Sequence, residues 1–111
     1  MPTFKQGDVV RVPFPYTDRN TRQHRPALVV SGGGVGPDSS LLWVAMITSA
    51  ENRQWDDDVV IFGHEKAGLP APSMIRPVKL ATIEASHADQ LGRVDDETLG
   101  KVMATVRGIV A

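Results

Sequence analysis

The 111-residue sequence contains no cysteine, only six aromatic residues and no long apolar run. The absence of cysteine excludes a disulfide framework, a thiolate zinc site and a cysteine nucleophile, and it suits a reducing compartment. No apolar run approaches the roughly 20 residues of a membrane span, and the opening residues MPTF do not begin a signal peptide. We therefore expect a cytoplasmic protein without a membrane segment.

A strong net charge is also absent, since the formal charge is −1, but the charges are unevenly distributed. Cationic side chains cluster early, at Arg11, Arg19, Arg22, His24 and Arg25, and acidic side chains concentrate later. A near-neutral domain does not wrap a nucleic-acid duplex, although a local basic patch can contact a few phosphates. The alternative is a solvated loop of mixed charge.

The length fits one domain, residues 1–111, and the apolar patterning predicts that it is mainly β. The predicted strands cover residues 9–14, 27–31, 41–49, 59–62, 73–76 and 78–83. The third is the most hydrophobic and should be central. In the tail, Leu99, Val102, Val106 and Ile109 recur at helical spacing, and Asp95 is a candidate N-cap. We expect a small, mostly antiparallel β-barrel closed by a C-terminal helix.

Arg25 lies where a polar loop becomes a buried strand. Pro26 restricts Arg25 to extended conformations, and the following residues ALVV are apolar and partly β-branched. A guanidinium fixed at such a boundary can present its donors to a phosphate or a carboxylate with little further ordering. Pairing with a nearby acid at the base of the loop is the structural alternative.

Together these features resemble the MazF/PemK family of type II toxins, which are ribonucleases. The resemblance covers nearly the whole chain and rests on the order and spacing of several segments. They are GDVV at 7–10 with Phe14-Pro15, RPALVVS at 25–31, ITS at 47–49, Gly68-Leu69 with Ser73, and the helix after LGRV at 91–94. It implies an SH3-like barrel, a homodimer, cofactor-free and metal-independent cleavage of single-stranded RNA, and neutralisation by a cognate antitoxin.

By this resemblance, Arg25 and Thr48 occupy the catalytic positions of the family. Metal-free cleavage of RNA uses the 2′-OH as nucleophile, and it requires a proton acceptor, a proton donor and positive charge near the phosphorane oxygens. Arg25 suits charge stabilisation, because a guanidinium holds its proton too tightly to act as an acid or a base. The hydroxyl of Thr48 can orient a non-bridging oxygen or the 2′-OH, unless it only satisfies a backbone group at the strand end.

The general base is less clearly indicated. Some family members carry an acid two residues after the arginine matched by Arg76, but Val78 occupies that position here. His24, Glu51 or water could serve instead. Histidine is a common proton shuttle, so His24 is the candidate for that role here, although strand alternation would turn it away from Arg25.

RNA recognition is expected from loops, because single-stranded bases are read by stacking and edge contacts. The candidate RNA-binding residues are Tyr16, Arg19, Arg22, Ser49, Trp55 and Arg76. No pair of His, Asp or Glu has metal-ligand spacing. Because a basic loop suits any anion, an acidic, disordered antitoxin segment is expected to occupy the same groove.

A functional alternative is a non-catalytic barrel of the same fold that acts by binding a protein, either a degenerate toxin or one directed at gyrase. Gyrase binding would not require Arg25 and Thr48 together at strand ends, whereas phosphate chemistry would.

Overall fold

The structure is a computed structural model that describes residues 3–13 and 24–111. Within these two ranges, six strands and one helix follow one another, with 3₁₀ turns at Pro37–Ser39 and Ala85–His87. The strands are β1 (Asp8–Pro13), β2 (His24–Val29), β3 (Leu41–Ser49), β4 (Val59–Val60), β5 (Ser73–Glu84) and β6 (Asp89–Arg93). The helix, α1, covers Asp96–Val110.

The strands form one antiparallel sheet in the order β4-β5-β3-β2-β1-β6. The sheet curls into a half-barrel with the single helix after it, which confirms the predicted mainly β class. β3 lies between β5 and β2, so the most hydrophobic stretch is central, as predicted. The bounds of β3 are those expected from the sequence.

Both faces of the central strands are buried, because successive side chains enter two different hydrophobic clusters. Val10, Val44 and Met46 belong to the first cluster, whereas Val9 and Ala45 belong to the second. Burial on both faces explains why these strands are nearly continuous apolar runs rather than alternating ones. The second cluster is the one that α1 covers.

The C-terminal helix begins and packs as its sequence predicts. Asp95 is the N-cap, and its carboxylate accepts a hydrogen bond from the Thr98 amide at 2.8 Å. Hydrogen bonding from the Thr98 side chain, followed by this bond from its amide, lowers the pKa of Asp95 below its ordinary value. Val102 is fully buried, and Leu99 and Val106 pack beside it. Within the described residues, no helix is long and apolar enough to cross a membrane.

Several predicted boundaries were wrong. β2 begins at His24 rather than Ala27 and ends at Val29, and β4 ends at Val60 rather than Phe62. The predicted strands 73–76 and 78–83 are one strand, β5, because a bulge accommodates Pro77 where no ladder N–H is needed. β6 was not predicted, since its residues DQLGR contain a single aliphatic side chain. The predicted end of the first strand, Phe14, lies outside the described residues.

Candidate functional site

The ends of several strands surround a cavity of about 610 Å³, here called the strand-end groove. β1, β2, β3, the start of β5 and β6 all contribute residues to it, together with the loop before β5. Its lining consists of Arg11, His24, Arg25, Pro26, Ile47, Thr48, Ser49, Asn52, residues 68–72, Ser73 and Leu91. The groove therefore gathers cationic and hydroxyl-bearing side chains over an apolar floor.

Strand pairing brings Arg25 and Thr48 together. β2 and β3 are antiparallel, with Ala27 opposite Met46. The paired segment ends there, and Arg25 and Thr48 each lie two residues beyond it, at the groove end of their strands. Both residues line the strand-end groove, with Arg25 half-buried and Thr48 only 8% exposed. A guanidinium and a hydroxyl in one groove can bind two oxygens of one phosphate or carboxylate group.

The end of β3 is fixed by a tight turn over residues 49–52. The Asn52 amide donates to the Ser49 carbonyl at 3.0 Å, and the Glu51 amide donates to Ser49 Oγ at 3.2 Å. The Asn52 side chain folds back, so that its Nδ2 donates to Thr48 Oγ1 at 2.6 Å. Thr48 therefore has a side-chain partner, rather than only satisfying the backbone at the strand end.

The opposite wall of the groove is the loop between β4 and β5. The Leu69 amide donates to the His64 carbonyl at 2.9 Å, which closes a turn in which Gly68 has φ +78°. A Cβ on Gly68 would lie 2.0 Å from the Leu91 carbonyl oxygen, and one on Gly92 would lie 2.4 Å from the Ala67 carbonyl carbon. The backbones of this loop and β6 therefore meet where only glycine fits.

The groove contains two further titratable or cationic side chains. His24 and Arg25 both contribute to the lining, although they are adjacent on β2. Arg11 on β1 also lines it and forms an exposed ion pair with Asp89 on β6 at 3.6 Å. Sequence reasoning counted Arg11 in the basic cluster but did not identify it as a site residue. The pairing of β1 with β2 puts it at this end of the sheet.

Arg76 and Trp55 do not line the groove; Arg76, on β5, forms a buried ion pair with Asp58, and the partly exposed Trp55 packs on its guanidinium. Arg76 donates to both carboxylate oxygens of Asp58, at 2.9–3.3 Å, and to the Arg53 carbonyl at 2.8 Å. The Asp58 side chain is fully buried, and the guanidinium of Arg76 lies 3.8 Å from the centroid of the Trp55 ring. Their arrangement anchors the connection between β3 and β4, and their RNA-binding role stays a prediction.

The other candidates divide between the groove and the part of the chain outside the described residues. Ser49 lines the groove beside Thr48. Tyr16, Arg19 and Arg22 lie outside the described residues. Glu51, a candidate base, is exposed in the turn after β3 and is not among the groove-lining residues. Among residues 3–13 and 24–111, no three His, Asp or Glu side chains form a potential metal site.

Sequence reasoning missed the roles of Asn52 and Ser73 in this site. Asn52 bonds to Thr48, and Ser73 lines the groove while its Oγ donates to the Ala71 carbonyl at 2.9 Å. A polar residue four positions after a strand-end threonine is a detectable signal for a turn that folds back, but its partner depends on the turn geometry.

The model of the PemK-like, MazF-like toxins of type II toxin-antitoxin systems matches residues 5–110. The chain belongs to this family. The match spans the strand-end groove and all the described elements. It confirms the family that the sequence motifs indicated. No curated protein matches the chain in sequence.

Solved structures with the same fold include toxins of this kind. MazE-MazF of Deinococcus radiodurans (Form-II) superimposes with a TM-score of 0.77 at 18% identity, covering 100% of this chain and 98% of that one. MazF of the same organism (Form-I) gives 0.74 at 18% identity, with 99% and 98% covered. An endoribonuclease from a mycobacterial species, in complex with its cognate antitoxin, gives 0.70 at 20% identity, with 96% and 97% covered. At these identities the likeness establishes the shared fold of MazF-like toxins.

Proposed function

We propose that this member of the MazF/PemK family is a sequence-specific, metal-independent endoribonuclease, the toxin of a type II toxin-antitoxin pair. It cleaves single-stranded mRNA by attack of a 2′-OH on the adjacent phosphorus. The observation that carries the proposal is the convergence of Arg25 and Thr48 in one groove of about 610 Å³. The endoribonuclease activity of a structurally similar mycobacterial protein supports it.

Arg25 stabilises the charge that develops on the phosphate. The attack converts the phosphodiester into a phosphorane with additional negative charge on its non-bridging oxygens. The guanidinium of Arg25, on a strand whose next residue is Pro26, offers several donors without needing to lose a proton. A hydrogen bond that becomes stronger as this charge develops stabilises the transition state more than the bound substrate. Removing the donor therefore lowers kcat.

His24 is the candidate for proton transfer, since its side chain enters the same groove. A base must accept the 2′-OH proton and an acid must protonate the leaving 5′-oxygen, and an imidazole performs either role near neutral pH. Water or Glu51 is the alternative base. The products are a 2′,3′-cyclic phosphate on one fragment and a 5′-OH on the other.

We propose three partners for the toxin. Single-stranded RNA enters the groove between the loop 68–72 and the end of β3, where Ser49 contacts it, and Tyr16, Arg19, Arg22, Trp55 and Arg76 are the further candidate contacts. A cognate antitoxin with an acidic segment binds the same basic surface, and solved MazE-MazF complexes support an antitoxin partner. The toxin acts in the cytoplasm as a homodimer.

The test is cleavage of a long single-stranded RNA in EDTA, with the 5′ ends of the products mapped. Arg25→Ala and Thr48→Val should each lower kcat by about 10²–10³-fold, the usual cost of removing one oxyanion donor. Arg107→Ala is the matched control, because Arg107 lies in the last turn of α1, outside the groove. Cuts at one sequence that survive EDTA and require Arg25 would support the proposal.

Two results would contradict it. If the folded wild type cuts no RNA at high concentration, the chain is not a ribonuclease, and the protein-binding alternative takes its place. If Arg25→Ala cuts as fast as the wild type, the strand-end groove is not the active site.

A further inference from the structure

Asn52 donates a hydrogen bond to Thr48 in the strand-end groove. An amide nitrogen has two hydrogens and no lone pair to offer, so the 2.6 Å contact from Asn52 Nδ2 to Thr48 Oγ1 makes the hydroxyl oxygen the acceptor. The hydroxyl hydrogen must then point away from Asn52. Because both residues line the strand-end groove, this hydrogen is left for a group bound there.

The Asn52 side chain is held in place by the backbone on both sides. Its own amide donates to the Ser49 carbonyl at 3.0 Å, and the Ala50 amide donates to the Pro72 carbonyl at 3.0 Å. The second bond ties the turn after β3 to the opposite wall of the groove. The carboxamide is thus presented to Thr48 by a rigid turn rather than by a freely moving loop.

We infer that Asn52 is a positioning residue, which commits the Thr48 hydroxyl to donate its hydrogen to a non-bridging oxygen of the scissile phosphate. This inference rests on the proposed ribonuclease function and deepens it. The Thr48 hydroxyl could instead donate to the oxygen of the 2′-OH, but a hydrogen bond donated to the attacking oxygen would make it a weaker nucleophile. A donor to a non-bridging oxygen gains strength as the phosphorane forms, so it favours the transition state.

The polarity of the bond gives two informative substitutions. Asn52→Ala leaves the Thr48 hydroxyl free to rotate, so its donor is present but no longer directed. Asn52→Asp puts an acceptor-only carboxylate at the same distance, which would draw the Thr48 hydrogen away from the phosphate. Asn52→Asp should therefore cost more than Asn52→Ala.

The experiment measures kcat and KM for a short RNA that contains the mapped cleavage site, over RNA concentrations that extend to saturation. We expect kcat to fall about 10-fold in Asn52→Ala and about 10²-fold in Asn52→Asp, approaching the loss in Thr48→Val. In a Thr48→Val background neither substitution of Asn52 should lower kcat further, because the hydroxyl that it directs is gone. Gln54→Asp is the matched control for added charge, since Gln54 is exposed in the same connection and does not line the groove.

Three outcomes would overturn the inference while leaving the ribonuclease intact. They are a kcat within twofold of wild type in Asn52→Ala, full activity in Asn52→Asp, and a loss of kcat that persists in the Thr48→Val background. Full activity in Asn52→Asp would mean that Thr48 donates to residue 52 rather than accepts. Failure of the wild type to cut the RNA would instead refute the proposed function, and the inference with it.

Discussion

The buried pair of Arg76 and Asp58 is the feature whose removal should cost the most stability. Arg76→Met keeps the length of the aliphatic stem but removes the hydrogen bonds to both carboxylate oxygens of Asp58. The side chain of Asp58 is 0% exposed, so water cannot replace the missing donors without opening the fold. The Trp55 amide, which donates to Asp58 Oδ2 at 2.8 Å, would be the neighbouring donor that remains.

The size of the effect follows from the cost of leaving one charge buried. Removing one partner of a buried ion pair lowers the free energy of unfolding by about 3–5 kcal/mol. For a chain of 111 residues, an unfolding entropy of about 2.1 cal/mol/K per residue makes each kcal/mol worth about 4 °C in Tm. We expect Arg76→Met to lower Tm by about 12–20 °C.

Thermal and urea unfolding at a fixed protomer concentration would measure this loss. Lys101→Met is the matched control, because Lys101 pairs with Glu97 at 3.8 Å on the exposed surface of α1 and should change stability by about 0.5 kcal/mol or less. Adding Asp58→Asn to Arg76→Met should restore part of the loss, since no buried charge is then unpaired. An Arg76→Met variant that loses no more than the Lys101→Met control would refute the reasoning.

Three further predictions concern other parts of the fold. Gly92→Ala should destabilise the protein by about 1–3 kcal/mol, because the new Cβ would overlap the Ala67 carbonyl. Gly100 has open space around it, so Gly100→Ala should stabilise α1 by about 0.5–1 kcal/mol. Equal Tm values for the two variants would contradict the close approach of Gly92 to Ala67. Hydrogen bonds from the first turn of α1 lower the pKa of Asp95, so its contribution to stability is fully present above the ordinary aspartate pKa and is lost as the pH falls through the lower folded-state pKa. Asp95→Asn should remove that part of the acid destabilisation, which unfolding curves recorded from neutral to acid pH would detect as a flatter profile. Arg11→Gln should weaken RNA binding and lower the slope of log K against log salt by about 0.7 for each phosphate that the variant no longer neutralises, and an unchanged slope in a fluorescence-polarisation titration would place Arg11 outside the RNA path.

The parts of the fold that could be predicted are those governed by local rules. β3 was bounded correctly because an apolar run ends abruptly at two hydroxyls, and the N-cap of α1 was found because aspartate, an acidic first turn and a 3.6-residue period coincide. β6 was missed because an exposed strand without an apolar alternation has no period to detect. Pro77 suggested a break in β5 that the bulge removes.

The residue types of the candidate site could be predicted from the sequence, but the contacts between those residues could not. Arg25 and Thr48 were identified through the family motifs, yet their proximity depends on the register between β2 and β3, which is a non-local property. The bond from Asn52 to Thr48 depends on how one turn closes. The pairing of Arg76 with Asp58 joins residues 18 positions apart, so the sequence indicated an RNA-binding arginine at position 76 but not its buried carboxylate partner.

The pairing of the strands also separates two kinds of substitution in this protein. Arg25 is held by its pairing with Val12 on β1 and Thr48 by its pairing with Met74 on β5, whereas the walls of the groove come from the loop 68–72 and the turn 49–52. Substitutions in the loop 68–72 should therefore reshape the groove without moving Arg25 and Thr48. For the proposed ribonuclease function, the positions between Leu69 and Ser73 are the ones to randomise in a search for a changed RNA preference, with Asn52 and the strand ends kept.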